Sequence, residues 1–313
     1  MKLFLGIDGG QSGTTALVGD ETGRILGIGR GGPCNHIKGP EGRARFIQAI
    51  GSSVSEACAR AGAGASFEAL GAGFSGGPAD KENLLRELVP AAHMRVTDDA
   101  VIALAGATGG LPGIIVVAGT GSIAYGRNAA GKAARAGGWG YIFGDEGGGF
   151  DLTRQALRAA LRFEEGWGPP TALREILLCE TGAATANELM HRFYTTDYPR
   201  ARVAAYSRLV DEAAEAGDAV AGGILKAAAQ QLAALAGAVR AQLFRPGDEV
   251  LTAWIGGVFR SRLLREQFRL LVELEDGSRT APPKYSPAAG ALLEAYRAAG
   301  LHPQLSNLPE DEK

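Results

Sequence analysis

The chain is poor in cysteine and histidine, and this scarcity excludes two kinds of small-domain architecture. Its three cysteines, Cys34, Cys58 and Cys179, are odd in number, widely spaced and form no CxxC pair. The four histidines show no metal-ligand spacing either. These patterns exclude a disulfide framework and a structural zinc site. They predict reduced thiols and a cytoplasmic protein.

Charge of one sign and long apolar runs are also lacking. The formal net charge is −2 at pH 7, and the charged residues are interspersed along the chain. No apolar run reaches the roughly 20 residues of a membrane span, and the N-terminal MKLFLGID leads directly into a predicted strand rather than a leader peptide. We therefore expect neither a nucleic-acid partner nor a membrane partner.

Glycine, in contrast, is abundant. The chain of 313 residues contains 47 glycines, about twice the usual share of ~7%, which places them in turns and close backbone approaches. They concentrate at Gly137–Gly149 (GGWGYIFGDEGGG), beside aromatic and acidic side chains but without Lys or Arg. Aromatic faces pack on sugar rings and carboxylates accept hydrogen bonds from hydroxyl groups, so this mixture favours an uncharged sugar. A glycine-rich turn packed on itself is the alternative.

Hydrophobic patterns predict alternating strands and helices, and hence an α/β fold. Residues 3–31 predict strands around a glycine turn, and residues 113–128 repeat this pattern, which indicates an internal duplication. Helical spacing occurs at 41–62, 81–88, 101–109, 151–165 and through most of 171–240. The Ala/Leu stripe at 225–243 predicts core packing, and the polar tail SNLPEDEK is predicted to fray.

Two glycine loops follow predicted buried strands and offer phosphate-binding chemistry. The first is Asp8–Thr15 (DGGQSGTT) and the second is Ala118–Ser122 (AGTGS). Exposed backbone N–H groups in such turns form an anion nest, and a carboxylate such as Asp8 can hold Mg²⁺ through water. An ordinary glycine hairpin capped by Asp8 is the structural alternative. The pair Gly256-Gly257 gives either a third close approach or a simple turn.

Paired carboxylates, Asp98-Asp99, end the predicted strand MRVTDDA. Either they cap the following helix, or one of them is a general base for an attacking alcohol. Asn35, in the loop Cys34-Asn35-His36, either contacts a sugar hydroxyl or belongs to a turn. The GxxxxGK match at 126–132 is followed by Ala133 instead of Ser or Thr, and two GxGxxG matches open no predicted helix. A P-loop and a Rossmann site are therefore rejected.

The segments DGGQSGTT, LGAGFSGG, VTDDAVIALAGA, AGTGS, GGWG, GDEGGG, IGGVF and PAAGALLEA occur in this order. Together they resemble the N-acetylglucosamine kinase and BadF/BadG/BcrA/BcrD-type ATPase family of the actin/hexokinase/Hsp70 superfamily, from Leu3 to about Gly300. The resemblance implies two RNase H-like (actin-like ATPase) α/β domains with a central cleft, at 1–108 with the C-terminal helix (about 291–313), and at 109–290.

The resemblance also implies a reaction and a set of site residues. ATP and Mg²⁺ would be the cofactors, and the 6-hydroxyl of N-acetylglucosamine or a related hexosamine the phosphate acceptor, in a chain that is a monomer or a homodimer. Asp99 resembles the catalytic base and Asp8 the Mg²⁺ residue. The ATP-binding matches are Gly10, Ser12, Gly13, Thr14, Gly119, Thr120, Gly121, Gly256 and Gly257. The substrate-binding matches are Asn35, His36, Ser122, Gly138, Trp139, Gly140 and Asp145.

Departures from the family pattern leave alternatives open. Gln11 stands where a third glycine is common and Gly13 where a basic residue is common. Ile123 is apolar where the mammalian enzyme has Asn, so glucosamine is an alternative substrate. An ATPase activator of a 2-hydroxyacyl-CoA dehydratase is a second alternative, although it would need paired cysteines. A sugar sensor would need a DNA-binding extension, which we do not expect before a strand that starts at residue 2.

Overall fold

The computed structural model describes residues 1–34, 37, 39–77 and 79–312. The chain divides into two compact units, one formed by Met1–Pro112 with Pro282–Lys313 and the other by Gly113–Ala281. A proline lies on the outer side of each junction, at Pro112 and Pro282. These junctions lie four and nine residues inward of the predicted boundaries at 108/109 and 290/291.

Strands and helices alternate in both units. The first unit contains β1 (Leu3–Gly9), β2 (Thr14–Asp20), β3 (Ile25–Gly31), α1 (Gly39–Ala61), β4 (Phe67–Phe74), α2 (Glu82–Leu88), β5 (Ala91–Asp98) and α3 (Asp99–Thr108). The second contains β6 (Gly113–Ala118), β7 (Ser122–Arg127), β8 (Ala133–Gly137), α4 (Gly149–Glu164), α5 (Leu173–Thr181), α6 (Ala186–Phe193), α7 (Arg200–Ala205), α8 (Ser207–Glu215), α9 (Ala219–Leu243), β9 (Val250–Ile255), α10 (Arg262–Glu273) and β10 (Ser278–Ala281). The last helix, α11 (Pro287–Ala298), belongs to the first unit.

The two sheets share one topology. Their strand orders are β3-β2-β1-β4-β5 and β8-β7-β6-β9-β10. In both, the first three strands form an antiparallel meander, and the fourth and fifth run parallel to the first. This correspondence confirms the predicted α/β class and supports the internal duplication. The short strands β8 and β10 were not predicted.

Helix α11 packs on one face of the first sheet at very short range. A Cβ atom added at Gly6 or at Gly71 would overlap the α11 backbone at Leu292 and Ala291. Glycine at these two strand positions therefore allows helix and strands to approach closely. The fully buried ring of Tyr296 lies 4.5 Å from the ring of Phe4, and its hydroxyl donates a 2.6 Å hydrogen bond to the Asp20 carbonyl.

One helix of the second core bears on the expectation about apolar runs. Helix α9 is long and apolar enough to cross a membrane by length and composition, because it is rich in alanine. Its buried face, which includes Leu225, Leu232 and Val239, packs into the hydrophobic core of the second unit, as predicted for the 225–243 stripe. Arg240 and Lys226 lie on the same helix. These contacts identify α9 as a core helix.

The C-terminal tail is ordered rather than frayed, so that prediction is wrong. Ser306 pairs with Arg24 as a parallel bridge, and the Asn307 side chain donates a 2.7 Å hydrogen bond to the Ile25 carbonyl. Glu312, only 3% exposed, accepts from Arg30 at 2.7 Å and from Ser286. The sequence predicted fraying because the tail is polar and its partners lie far away along the chain.

Candidate active site

Two carboxylates meet at one edge of the first sheet. Asp8 lies near the end of β1, and Asp99 directly follows β5. Both strands run parallel to β4, with Asp8 opposite Gly73 and Phe74 opposite Asp98. Because the carboxyl ends of parallel strands lie at the same edge, the two acidic residues face the same region. Ser75, which follows β4, lies between them.

Asp8 is suited to a bound cation. Its burial, reinforced by the charges of Asp99 and Glu312, raises its pKa from 3.8 to about 7, and Arg30 only partly offsets this shift. A carboxylate in such a negative field gains most from a divalent cation, and Mg²⁺ prefers oxygen ligands and retains water. Among the residues that the structure describes, no three metal-ligating side chains cluster. Asp8 thus fits a cation held largely through water.

The first glycine loop makes a tight turn. The Gly10 N–H donates to the Gly13 carbonyl at 2.9 Å, and Ser12 lies exposed at the tip. Thr14, in contrast, is buried, and its hydroxyl donates to the Gly32 carbonyl at 2.8 Å and to the Cys34 sulfur at 3.2 Å. The hydroxyl of Ser12 is therefore open to a phosphate, whereas that of Thr14 is already used to hold the loop.

The aspartate pair is not used as a helix cap. Asp98 occupies the N-cap position of α3, but its side chain makes no capping hydrogen bond. Asp99, the first residue of α3, is exposed, and its Oδ2 accepts a 2.8 Å hydrogen bond from the Ser75 hydroxyl. Asp99 thus combines solvent access with a fixed orientation, which a general base needs.

The second glycine loop lies in the second unit and joins β6 to β7. The Gly119 N–H donates to the Gly121 carbonyl at 3.0 Å, and Thr120 is exposed at the tip, as Ser12 is in the first loop. Gly256, with φ 117°, packs so closely that a Cβ there would overlap the Ala118 carbonyl. Gly257 begins a short 3-10 turn with open space around it. The predicted phosphate and adenosine glycines of this unit therefore lie side by side.

The GGWGYIFGDEGGG loop is exposed and glycine-shaped. Gly138 and Gly140 have φ values of 72° and 82°, which favour glycine. The loop presents large apolar side chains to solvent, with Trp139 66% exposed and Phe143 83% exposed. Exposed aromatic faces on a soluble surface are typical of a ligand-binding wall. Arg135 lies over the Trp139 ring at 4.9 Å.

Asp145 is held by Arg200, a residue that its sequence pattern does not mark as functional. Its side chain is 5% exposed, its φ is 65°, and its Oδ2 forms an ion pair with Arg200 of α7. Its Oδ1 accepts from the Ser122 N–H at 3.4 Å. Arg200 also lies over the Tyr141 ring, 5.4 Å from its centroid. The loop Gly137–Gly149 contains no Lys or Arg, but Arg200 of α7 places a cation against it.

Two other predicted contacts have different outcomes. The Ser122 hydroxyl, predicted to contact sugar, donates to the Glu146 carbonyl at 2.6 Å and so anchors the glycine-rich loop. Asn35 and His36 lie outside the described residues.

The cysteines are free thiols: Cys34 and Cys58 are buried in the first core, and Cys179 is exposed in the second unit. Buried, unpaired thiols do not suit an iron–sulfur cluster shared between subunits, which the dehydratase-activator alternative requires.

Comparison with known proteins gives a consistent set of matches. The profile of the BadF/BadG/BcrA/BcrD ATPase family matches residues 5–295. The N-acetylmuramic acid/N-acetylglucosamine kinase of Clostridium acetobutylicum is 33% identical over 282 residues, covering 88% of this chain and 91% of the relative. The N-acetyl-D-glucosamine kinase of Dictyostelium discoideum is 28% identical over 249 residues, covering 74% and 77%.

Solved structures agree with the fold. A candidate N-acetylglucosamine kinase from Chromobacterium violaceum is 29% identical, with a TM-score of 0.73 and coverage of 94% of this chain and 98% of that one. A ROK family glucokinase from Streptomyces griseus, 20% identical, has a TM-score of 0.53 and coverage of 95% and 99%. These likenesses confirm the prediction of an actin-like ATPase fold with two RNase H-like units.

Proposed function

The chain belongs to the BadF/BadG/BcrA/BcrD ATPase family, and we propose that it is an ATP-dependent kinase that phosphorylates the 6-hydroxyl of N-acetylglucosamine. The observation that carries this proposal is the arrangement at the edge of the first sheet. Asp8, the Ser12 loop and the oriented carboxylate of Asp99 are brought together there. The kinases named among the relatives support N-acetylglucosamine over glucosamine as the acceptor.

In this mechanism Asp99 is the general base. It accepts the proton of the 6-hydroxyl as that oxygen forms a bond to the γ-phosphorus, and the electrons of the broken P–O bond leave with ADP. The Ser12 and Thr120 turns offer backbone N–H groups and hydroxyls to the phosphates. Gly257, with open space around it, leaves room for the adenosine, and Gly256 allows this turn to lie close against the end of β6. Asp8 would hold Mg²⁺ through water, and the ion would neutralise phosphate charge.

The second unit supplies the sugar contacts. The Trp139 ring packs against the sugar, and Gly138 and Gly140 allow the backbone to approach it. Asp145 accepts a hydroxyl hydrogen bond from its fixed position beside Arg200. Asn35 and His36 complete the proposed sugar contacts by resemblance alone. A cytoplasmic location and a homodimer remain predictions.

A sugar panel with ATP tests this function, with paired variants at the aspartates. We expect phosphorylation of N-acetylglucosamine at its 6-position, identified by NMR of the product. Asp99→Asn should lower kcat by ~10²- to 10⁴-fold, the contribution typical of a general base. Asp98→Asn is the matched control, because in the described part of the chain the Asp98 carboxylate makes no capping hydrogen bond to α3, and it should retain kcat within about threefold. Normal turnover by Asp99→Asn would remove Asp99 from this role.

N-acetylmuramic acid is a second candidate substrate. It differs from N-acetylglucosamine by a lactyl ether that carries a carboxylate, and a relative is named for both sugars. The observation that favours it is Arg200, whose guanidinium lies on the ligand-facing loop and whose buried Nε has no hydrogen-bond partner among the described residues. Arginine is well suited to pair with a carboxylate.

A further inference from the structure

Lys81 is a buried lysine that the kinase mechanism has not used. Its side chain is only 3% exposed, although lysine is rarely buried without a partner. In the part of the chain that the structure describes, no carboxylate lies within ion-pair distance of it. Its ammonium donates instead to two backbone carbonyls, those of Ser75 at 3.1 Å and Gly77 at 2.8 Å. It also lies 5.6 Å from the centre of the Phe74 ring.

The carbonyls that bind Lys81 belong to the turn that orients the proposed base. The Ser75 N–H donates to the Gly9 carbonyl at 3.1 Å, which ties the turn to the end of β1. The Ser75 hydroxyl donates to Asp99 Oδ2 at 2.8 Å. Ser75 therefore links Lys81 to Asp99, because its carbonyl accepts from the lysine and its hydroxyl donates to the aspartate.

This turn is costly to order, although the Gly77 N–H donates a 3.2 Å hydrogen bond to the Phe74 carbonyl. Gly76 and Gly77 are consecutive glycines with φ values of 80° and 87°. Glycine reaches such values easily but has the greatest conformational freedom to lose, so two in succession make a turn that is costly to order. A buried ammonium that binds the carbonyls on both sides of Gly76 restricts that freedom.

The electrostatic surroundings agree with this role. Burial lowers the pKa of Lys81, and the acidic groups that face it, Cys34, Asp80, Asp98 and Asp99, oppose that change. The lysine therefore lies near both members of the aspartate pair without neutralising either by direct contact. Among the described residues, the Lys81 ammonium donates hydrogen bonds to carbonyls of this turn.

We propose that Lys81 is a positioning residue for Asp99. By fixing the Ser75–Gly77 turn, Lys81 keeps the Ser75 hydroxyl on Oδ2 and leaves Oδ1 of Asp99 to accept the proton of the sugar hydroxyl. This inference rests on the proposed kinase function, because it assigns Asp99 its part in the reaction.

Steady-state kinetics of Lys81→Met, Ser75→Ala and the double variant test the proposal. Lys81→Met keeps the apolar stem and removes the donors. We expect a fall in kcat of roughly 10- to 100-fold, with KM for sugar and for ATP changed by less than about threefold. Because both residues act through one hydrogen-bond chain, the double variant should be no slower than the slower single variant. Lys284→Met is the control, an exposed lysine of the same unit that lies 5.1 Å from the Tyr285 ring.

Hydrogen exchange of the turn gives a readout that does not depend on turnover. Lys81→Met should speed exchange of the Ser75 amide by about tenfold or more, because the turn is released. Unchanged exchange, a normal kcat, or single-variant losses that multiply in the double variant would each overturn the proposal. If Lys81→Met fails to fold, Ser75→Ala must still lower kcat with KM retained. A wild-type protein that phosphorylates no hexosamine would instead refute the kinase function, and the exchange result would still decide whether Lys81 orders the turn.

Discussion

At the scale of single residues, Arg200 contacts the glycine-rich loop Gly137–Gly149 in two ways. Its ion pair fixes Asp145, and its position over Tyr141 brings a positive charge to a loop that has none of its own. Under the proposed sugar contacts, kinetics can separate these two effects. We expect loss of the ion pair with Asp145 to weaken binding of every sugar, and loss of the positive charge to weaken binding only of a sugar with a carboxylate.

We therefore expect Arg200→Gln to lower the ratio of kcat/KM for N-acetylmuramic acid to kcat/KM for N-acetylglucosamine by about 10- to 100-fold. This range corresponds to one charged hydrogen bond of roughly 1.5–3 kcal/mol. Loss of the ion pair with Asp145 should lower kcat/KM for both sugars alike, so this effect cancels in the ratio. Competition assays with both sugars measure it directly.

Arg202→Gln is the matched control for this prediction. Arg202 lies on the same helix, but it stacks on Tyr198 at 4.2 Å and donates to the Asp197 carbonyl at 2.7 Å, away from the loop. Its substitution should leave the ratio unchanged. A ratio that survives Arg200→Gln, or a wild type inactive on N-acetylmuramic acid, would exclude Arg200 as the determinant of acidic sugars.

At the scale of elements, close approach of α11 to the first sheet depends on glycine. Gly71→Ala places a Cβ against the Ala291 carbonyl and the Ala295 amide, which are backbone atoms that cannot rotate away. We expect it to lower the free energy of unfolding by on the order of 3 kcal/mol. Chemical denaturation, with the slope compared between variants, measures this loss.

A glycine in open space gives the opposite expectation. Gly51 lies on the exposed face of α1 with no atom within 4 Å of an added Cβ. Gly51→Ala should raise the free energy of unfolding by about 0.5–1 kcal/mol, because alanine has the higher helix propensity. Equal effects of the two substitutions would show that α11 adjusts to the sheet and that its packing is not tight.

The elements themselves were largely predictable, because each has a local signal. Apolar runs before DGG and AGTG marked β1 and β6, and helical spacing marked α1, α3 and α4. Strands β8 and β10 were not predicted because they are short edge strands in which no residue is buried. Arg200 and Lys81 escaped for a different reason. The proposed role of each depends on contact with a carboxylate or a turn outside its own helix. The spacing of residues along a helix does not predict such contacts.

At the scale of the whole molecule, the C-terminal segment packs against the N-terminal strands β2 and β3 and the turn between them. Tyr296 on α11 donates its hydroxyl to the Asp20 carbonyl at 2.6 Å, and the tail beyond it pairs with Arg24 and Ile25. Burial raises the pKa of Tyr296 well above its usual value of 10, and the charges of Asp20 and Glu21 add to this effect. The folded chain therefore keeps a proton that the unfolded chain releases above pH 10.

This difference in proton binding predicts a specific loss of stability in alkali. Below pH 10 the contribution of Tyr296 is fully present, and above it the free energy of unfolding should fall by roughly 1.4 kcal/mol per pH unit from this group. Tyr296→Phe removes that component of the slope, while costing about 1 kcal/mol at pH 7 through the lost hydrogen bond. Denaturation of both proteins between pH 8 and about 11 measures the difference. If the free energies of unfolding of the two proteins change in parallel with pH, the Tyr296 phenol ionises as readily in the folded chain as in the unfolded one. Helix α11 would then not exclude water from this part of the core.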